Sequence, residues 1–368
     1  MSGGRGKRNR PDWQIIRSVC QLVAGNNISR AVTTINESNS WDLVIDTATT
    51  EKCFGLIASN LSQENLIDYG VTEEIRRIIH DAHLENVTRN MGIFSQALKV
   101  TQALNSSGIK PIFLKGTASL LTRANADIGA REQADIDLLV EPDQIYQTCE
   151  TLLEIGYSFI AYSKANKNHR DIDEAKRNSR FHHHLPPMVS PDHALPIEIH
   201  KTHLPIELKS CPSMESLLRS CEIHDIHGAK IRAPSIEHRL IHLILGEYVR
   251  DGYWSKSQVP FRAISDYIDL TTACSAPGSR IKWDQVDKHC ASKRRHFLAM
   301  LAICLPEISS PYLLSTKPPI FQEMLIIGRY NHSLLGSLLD FQGRARHLLN
   351  ALFSNPNKIF SYFERMKI

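Results

Sequence analysis

The run Ala134-Asp135-Ile136-Asp137-Leu138-Leu139-Val140 constrains this chain more than any other stretch. It reads as a buried strand that carries two acids. Side chains alternate along a strand, so Asp135 and Asp137 point to one face while Ile136, Leu138 and Val140 point to the other, into a core. Two carboxylates at the head of an apolar strand repel each other and cost stability unless positive charge sits between them. A divalent cation meets that need. Mg²⁺ binds through one or two carboxylates plus substrate phosphates, which points to phosphate-transfer chemistry.

The chain has 368 residues, 42% of them hydrophobic and 22% charged, enough for two domains or for one domain with large additions. A net charge of +4 is too small an excess to separate a nucleic-acid binder from a small-molecule enzyme. Only residues 1–10 are locally basic, with Arg5, Lys7, Arg8 and Arg10, and they are expected to form a disordered tail. The eight cysteines are scattered without a Cys-x-x-Cys pair, against a zinc ribbon or a disulfide framework. The best apolar run, Leu240 to Val249, is broken by His242, Gly246 and Glu247, so no membrane span is expected. A reduced, cytoplasmic protein follows.

Helical patterning fills residues 11–107 and is clearest at Leu84 to Leu104, where Val87, Met91, Phe94, Leu98, Thr101 and Leu104 recur at helix spacing. Lys110 to Leu114 reads as a short strand, and Gly116 as a turn into a helix over Thr117 to Leu121. A further helix begins at Pro142 and closes at Gly156. Three strand-like runs follow, Tyr157 to Tyr162, Phe181 to Val189 and Leu195 to His200, with polar Ser163 to Arg180 expected as an exposed loop or flap. Residues 206–368 read as a helical C-terminal domain. The expected fold class is α+β, a mixed-sheet core at 108–205 between a helical N-terminal segment and a helical C-terminal one.

Glu198, in Pro196-Ile197-Glu198-Ile199-His200, shares a strand face with His200 and is the candidate third carboxylate. Three acids would suit two ions roughly 3.5 to 4 Å apart that stabilise attacking and leaving oxygens. Gly116 would let the backbone approach a phosphate, and Lys115 and Arg131 supply the positive charge that a triphosphate needs. His182, His183, His184, His200 and His203 form a dense group. Carboxylate-rich sites favour Mg²⁺ over zinc, so His184 and His200 are expected to pack or to touch substrate.

The order of these pieces carries a resemblance. Ile109-Lys110-Pro111-Ile112-Phe113-Leu114-Lys115-Gly116, Arg131 four residues before Asp135-Ile136-Asp137-Leu138-Leu139-Val140, Leu152-Leu153-Glu154-Ile155-Gly156-Tyr157, and His183-His184-Leu185-Pro186-Pro187 before Ile197-Glu198-Ile199-His200 resemble the uncharacterised nucleotidyltransferase family of the polymerase-beta superfamily. The likeness covers roughly Trp41 to His289. It implies a polymerase-beta-like sheet on helices and transfer of an NMP group from an NTP such as ATP, with release of pyrophosphate. It implies two Mg²⁺ ions held by Asp135, Asp137 and Glu198, with Lys115, Gly116 and Arg131 binding the nucleotide. Lys-Gly stands where the superfamily commonly has Gly-Ser. The acceptor is left open among a small molecule, a tRNA 3′ end in a toxin-like role and a protein side chain. A non-catalytic nucleotide-binding scaffold or regulator is the alternative.

Overall fold

The computed structural model describes residues 12–122, 127–160, 168–169, 171–179, 182–193, 195–204, 208, 211–273, 281–307, 320–332 and 335–343. The basic segment 1–10 lies outside them. The chain divides into two compact units, one from Met1–Leu84, Glu247–Thr272 and Ser292–Ile368, the other from Glu85–Gly246 and Ala273–Ala291.

The described part of the first unit is helical. It contains α1 (Trp13–Val23), α2 (Ile28–Glu37), α3 (Trp41–Thr50), α4 (Phe54–Ser62) and the start of α5 (Glu73–Ser106). Asp12 caps α1 by accepting from the Ile15 N–H at 3.0 Å, which satisfies one of the donors a helix start leaves open. Ile16, Val19 and Leu22 of α1 are buried with Val32 and Ile35 of α2 and Ile57 and Leu61 of α4. No helix among the described residues is long and apolar enough to cross a membrane. Among the described residues, Cys20, Cys53, Cys149, Cys211, Cys221, Cys290 and Cys304 form no disulfide.

The second unit holds the sheet. Its strands are β1 (Ile112–Phe113), β2 (Ile136–Leu139), β3 (Ser158–Ile160), β4 (Asn168–His169), β5 (Met188–Val189), β6 (Ile197–His200), β7 (Glu222–Ile226) and β8 (Ala229–Ala233), in the order β4-β3-β5-β6-β2-β1-β8-β7. β2 runs parallel to β6 and antiparallel to β1, and β1 runs parallel to β8. This is the expected α+β architecture with a mixed sheet. Phe113, Ile136, Leu138, Ile197 and Ile199 pack with Ile93, Ala97, Val100 and Leu104 of α5, and with Cys149, Leu152 and Leu153 of α7 (Ile145–Glu154). The acids of β2 and β6 therefore lie on the face turned away from α5 and α7.

Three details depart from the pattern read in the sequence. The buried side of α5 passes through Asn86, Asn90, Ile93, Ala97, Val100 and Leu104, while Met91 is 60% exposed. Two asparagines enter the interior because loop carbonyls receive their amides. Second, the polar segment after Tyr162 contains β4 and a helix, α8 (Ile172–Asn178). Asp171 caps that helix by accepting from Glu174 N–H at 2.9 Å, and Ile172 and Ala175 anchor it one turn apart in the core. Ser163, Arg170 and Arg180 lie outside the described residues. Third, the stretch from 206, expected to be helical, supplies the β7–β8 hairpin as well as α9 (Met214–Ser220). His227 and Gly228 turn it with φ of 51° and 82°, the doubly left-handed geometry that a two-residue hairpin loop requires. Ala229, Ile231 and Ala233 alternate inward, so β8 extends the sheet beyond residue 205.

His203 is buried, 4% exposed, and neither ring nitrogen has a hydrogen-bond partner among the described residues. Burial first, and then the imidazoles of His238, His200 and His289, push its pKa from 6.5 down to about 4. The unfolded chain binds a proton there that the folded chain refuses. Stability from this group is therefore complete above about pH 6.5 and is lost as pH falls toward about 4. The loss amounts to about 3 kcal/mol at 1.36 kcal/mol per pKa unit. Urea midpoints between pH 7 and pH 4.5 should fall less steeply in His203→Leu than in the wild type; parallel slopes would contradict the assignment.

Candidate active site

Parallel pairing of β2 with β6 sets Asp137 beside Glu198 and Leu139 beside His200. Because alternation is shared across the pair, Asp137, Glu198 and His200 emerge on one face. One ligand atom from each lies within 4.8 Å of the others, close enough together that the three could hold a metal ion. Asp137 is 2% exposed and His200 fully buried, whereas Glu198 is half-buried. Asp135 precedes β2, half-buried, and stands outside the converging group.

Asp137 is the most heavily engaged acid. Its Oδ1 accepts from Lys115 Nζ at 2.6 Å and from His200 Nε2 at 2.7 Å. Burial alone would raise this carboxyl, but the Lys115 ammonium and then the His200 hydrogen bond outweigh it and hold the group well below the usual carboxylate range. It is therefore anionic at neutral pH. Removing one partner from such a buried ion pair typically costs about 3–5 kcal/mol, since it leaves charge uncompensated.

Lys115 reaches Asp137 from the first residue of α6 (Lys115–Thr122), where its backbone is left-handed at φ 47°. A side chain with a Cβ seldom occupies that region, and holding one there costs about 1 kcal/mol. Leu114 N–H also donates to the Asp137 carbonyl at 3.1 Å, so main chain and side chain together tie the start of α6 to β2.

Arg131 lies against Gly116. A Cβ at position 116 would fall 2.0 Å from Arg131 Nη1 and 3.2 Å from Gln133 Oε1, so the glycine makes room for the guanidinium. The loop that carries Arg131 is held by α5: Asn86 Nδ2 donates to Gly129 O at 2.6 Å, Asn90 Nδ2 to Arg131 O at 2.9 Å and Arg89 Nη2 to Gln133 O at 2.7 Å. These three residues were not singled out in the sequence. Their spacing of three and four on a helix that also carries an apolar stripe is the signal that could have found them.

His184 is placed by a bridge to His200 across the sheet, and its Nε2 lies 3.8 Å from Glu198 Oε2. Its Nδ1 donates to Leu185 O at 2.7 Å. Burial lowers the His184 pKa from its ordinary value in spite of the Glu198 carboxylate. The structure thus brings Lys115, Asp137, Glu198, His184 and His200 together, with Arg131 packed on Gly116 beside them.

Gly116→Ala should cost about 1–3 kcal/mol by overpacking, and that cost should largely vanish in an Arg131→Ala background, where alanine's helix propensity takes over. Urea unfolding of the four proteins of the cycle measures it. Equal costs in both backgrounds would show that the glycine does not serve Arg131.

No curated protein matches the chain significantly. A family whose description is "uncharacterised nucleotidyltransferase" has a sequence model that matches residues 37–307, which takes in both acidic strands, Lys115-Gly116 and most of the helical flanks, and the chain belongs to that family.

Proposed function

We propose that this chain is a divalent-cation-dependent enzyme that transfers an NMP group from an NTP to an acceptor hydroxyl and releases pyrophosphate. The observation that carries the reading is the convergence of Asp137, Glu198 and His200 ligand atoms within 4.8 Å on the sheet face next to the start of α6. The donors suit a cation: a buried, fully ionised carboxylate, a half-buried second one, and an imidazole between them. A bound divalent ion would neutralise phosphate charge and acidify the acceptor hydroxyl.

In this reading Asp137 and Glu198 hold the cation, and Asp135, two residues upstream, adds the third acid. Lys115 exchanges its hold on Asp137 for a phosphate oxygen of the nucleotide. Arg131, pinned by α5 through its loop, neutralises a second phosphate position. The acceptor hydroxyl gives up its proton to solvent, its oxygen bonds to the α-phosphorus, and the bond to the pyrophosphate oxygen breaks. Positioning and preorganised charge supply most of the acceleration, because little covalent chemistry falls to the protein. ATP is one candidate donor, and a small molecule, a tRNA 3′ end and a protein side chain are the acceptor classes. Cysteines that form no disulfide among the described residues agree with a cytoplasmic setting.

Each of the four NTPs labelled at the α-phosphate, incubated with a cell extract and the protein, should label one extract fraction. Asp137→Asn and the half-buried Glu198→Gln should each lower that rate about 10²–10³-fold, the scale of losing one electrostatic stabiliser, with folding checked by circular dichroism. Lys115→Ala should weaken NTP binding about tenfold or more, the scale of one charge-assisted contact. Full activity in both acid variants would overturn the assignment. Nucleotide binding without transfer from any NTP would favour a non-catalytic scaffold or regulator.

A further inference from the structure

We propose that the first unit carries a second binding site, formed by Trp254, Lys293 and His296, and that it takes a single strand of RNA, with one base stacked on the indole and its phosphate held by the donors of Lys293 and His296. Among the acceptor classes of the proposed transfer this selects RNA; it rests on that reading for the transfer, not for the binding.

The backbone around the indole is held from both sides. Trp254 lies half-buried in the four-residue helix Tyr253–Lys256, which is bounded by two left-handed residues, Gly252 at φ 88° and Ser257 at φ 51°. A residue with a Cβ seldom takes that conformation, so Ser257 needs support from its surroundings. Gln258 N–H donates to Tyr253 O at 3.0 Å, and Arg329 Nη1 donates to Lys256 O at 2.8 Å. Gln258 Nε2 and the Tyr253 hydroxyl both donate to the Glu51 carboxylate, at 3.0 and 3.4 Å. A ring whose backbone is fixed in advance loses little freedom when a base stacks on it.

Two donors stand beside the ring. Lys293 and His296 are one turn apart in the helix Trp283–Cys304 and both reach the indole: Lys293 Nζ lies 3.5 Å from its centroid, and the His296 ring meets it edge-on at 6.1 Å. The Gln322 amide nitrogen donates to His296 O at 3.0 Å, which fixes the orientation of that amide, and the same nitrogen lies 3.4 Å from His296 Nδ1. Nδ1 is thus the acceptor of the ring, the Tyr248 hydroxyl donates to it at 2.6 Å, and the ring proton sits on Nε2. Burial, and then the Lys293 ammonium, push the His296 pKa down to about 4, so at neutral pH Nε2 is an uncharged N–H donor. It has no hydrogen-bond partner among the described residues.

The pairing of an ammonium with an indole selects the ligand. A cation over an aromatic face is attracted to it, and whatever displaces the cation must replace that contact. A nucleotide replaces both halves, since its base covers the indole while its phosphate accepts from Lys293. An acidic side chain brings an anion without a flat ring, and a neutral aromatic brings the ring without the anion. Lys293, Arg294 and Arg295 follow one another and residues 292–304 hold no acid, so positive charge continues beyond one phosphate. Aromatic stacking beside a cationic surface is the general way in which single strands are bound, whereas a duplex keeps its bases inside.

Fluorescence anisotropy of an end-labelled RNA strand of about 12 nucleotides, titrated with the whole chain in the absence of NTP and divalent ion, tests this. Trp254→Ala should weaken binding about 5–150-fold, the scale of one stacked base, and Trp254→Phe should restore most of it. Lys293→Gln should flatten the salt dependence, the log–log slope shrinking by about 0.7. The same strand annealed to its complement should bind at least about tenfold more weakly. No RNA binding, equal binding of strand and duplex, tighter binding of the DNA strand of the same sequence, displacement by polyglutamate of equal charge, or unchanged affinity in Trp254→Ala would overturn the inference. Should Trp254→Ala fail to fold, an unchanged slope in Lys293→Gln overturns it instead. RNA binding by a protein that transfers no label would sustain the site and remove the transferase reading; label in a ribonuclease-resistant fraction, with no RNA bound, would do the reverse.

Discussion

The carboxylate of Asp137 is the charge around which the second unit is organised. A buried ion carries a desolvation penalty of several kcal/mol, and this one is tolerated because Lys115 and His200 both reach its Oδ1. Each partner imposes a condition on the fold. Lys115 reaches it from a left-handed backbone at the start of α6, a conformation that would suit glycine better. His200 reaches it because β6 runs parallel to β2 in the one register that sets Asp137 beside Glu198. A slip of one residue would turn Glu198 and His200 into the core packed on α5.

Arg131 repeats this economy on a smaller scale. Its guanidinium sits where only a glycine leaves space, and its loop is held by buried amides from the helix behind the sheet. The cationic side of the site is thus attached to the same framework as the acidic side. Charges of both signs are thus carried by one framework, the kind of arrangement in which electrostatic stabilisation is most effective.

Much of this was legible in the sequence because strands alternate with period two. Asp137 and Glu198 could be assigned to a face from the apolar residues between them, and the mixed sheet followed from the order of short apolar runs. The bond between His200 and Asp137 could not be read, since it depends on inter-strand register. Hydrophobic periodicity gave α5 as a helix but drew its buried face through Met91. The true face admits Asn86 and Asn90, whose acceptors lie 43 and 41 residues onward in the Arg131 loop. The hairpin at Glu222 to Ala233 was hidden by its exposed strand β7; its signal was the His227-Gly228 turn beside the alternation of Ala229, Ile231 and Ala233.

In the proposed reaction Lys115 and a divalent ion exchange places on Asp137 when nucleotide binds. Anomalous diffraction from crystals grown with Mn²⁺ and a non-hydrolysable NTP tests it directly. An anomalous peak is expected among Asp137, Glu198 and His200, with Lys115 Nζ moved from Asp137 to a phosphate oxygen. Lys115 still bonded to Asp137, with no peak beside it and the nucleotide bound elsewhere, would contradict it.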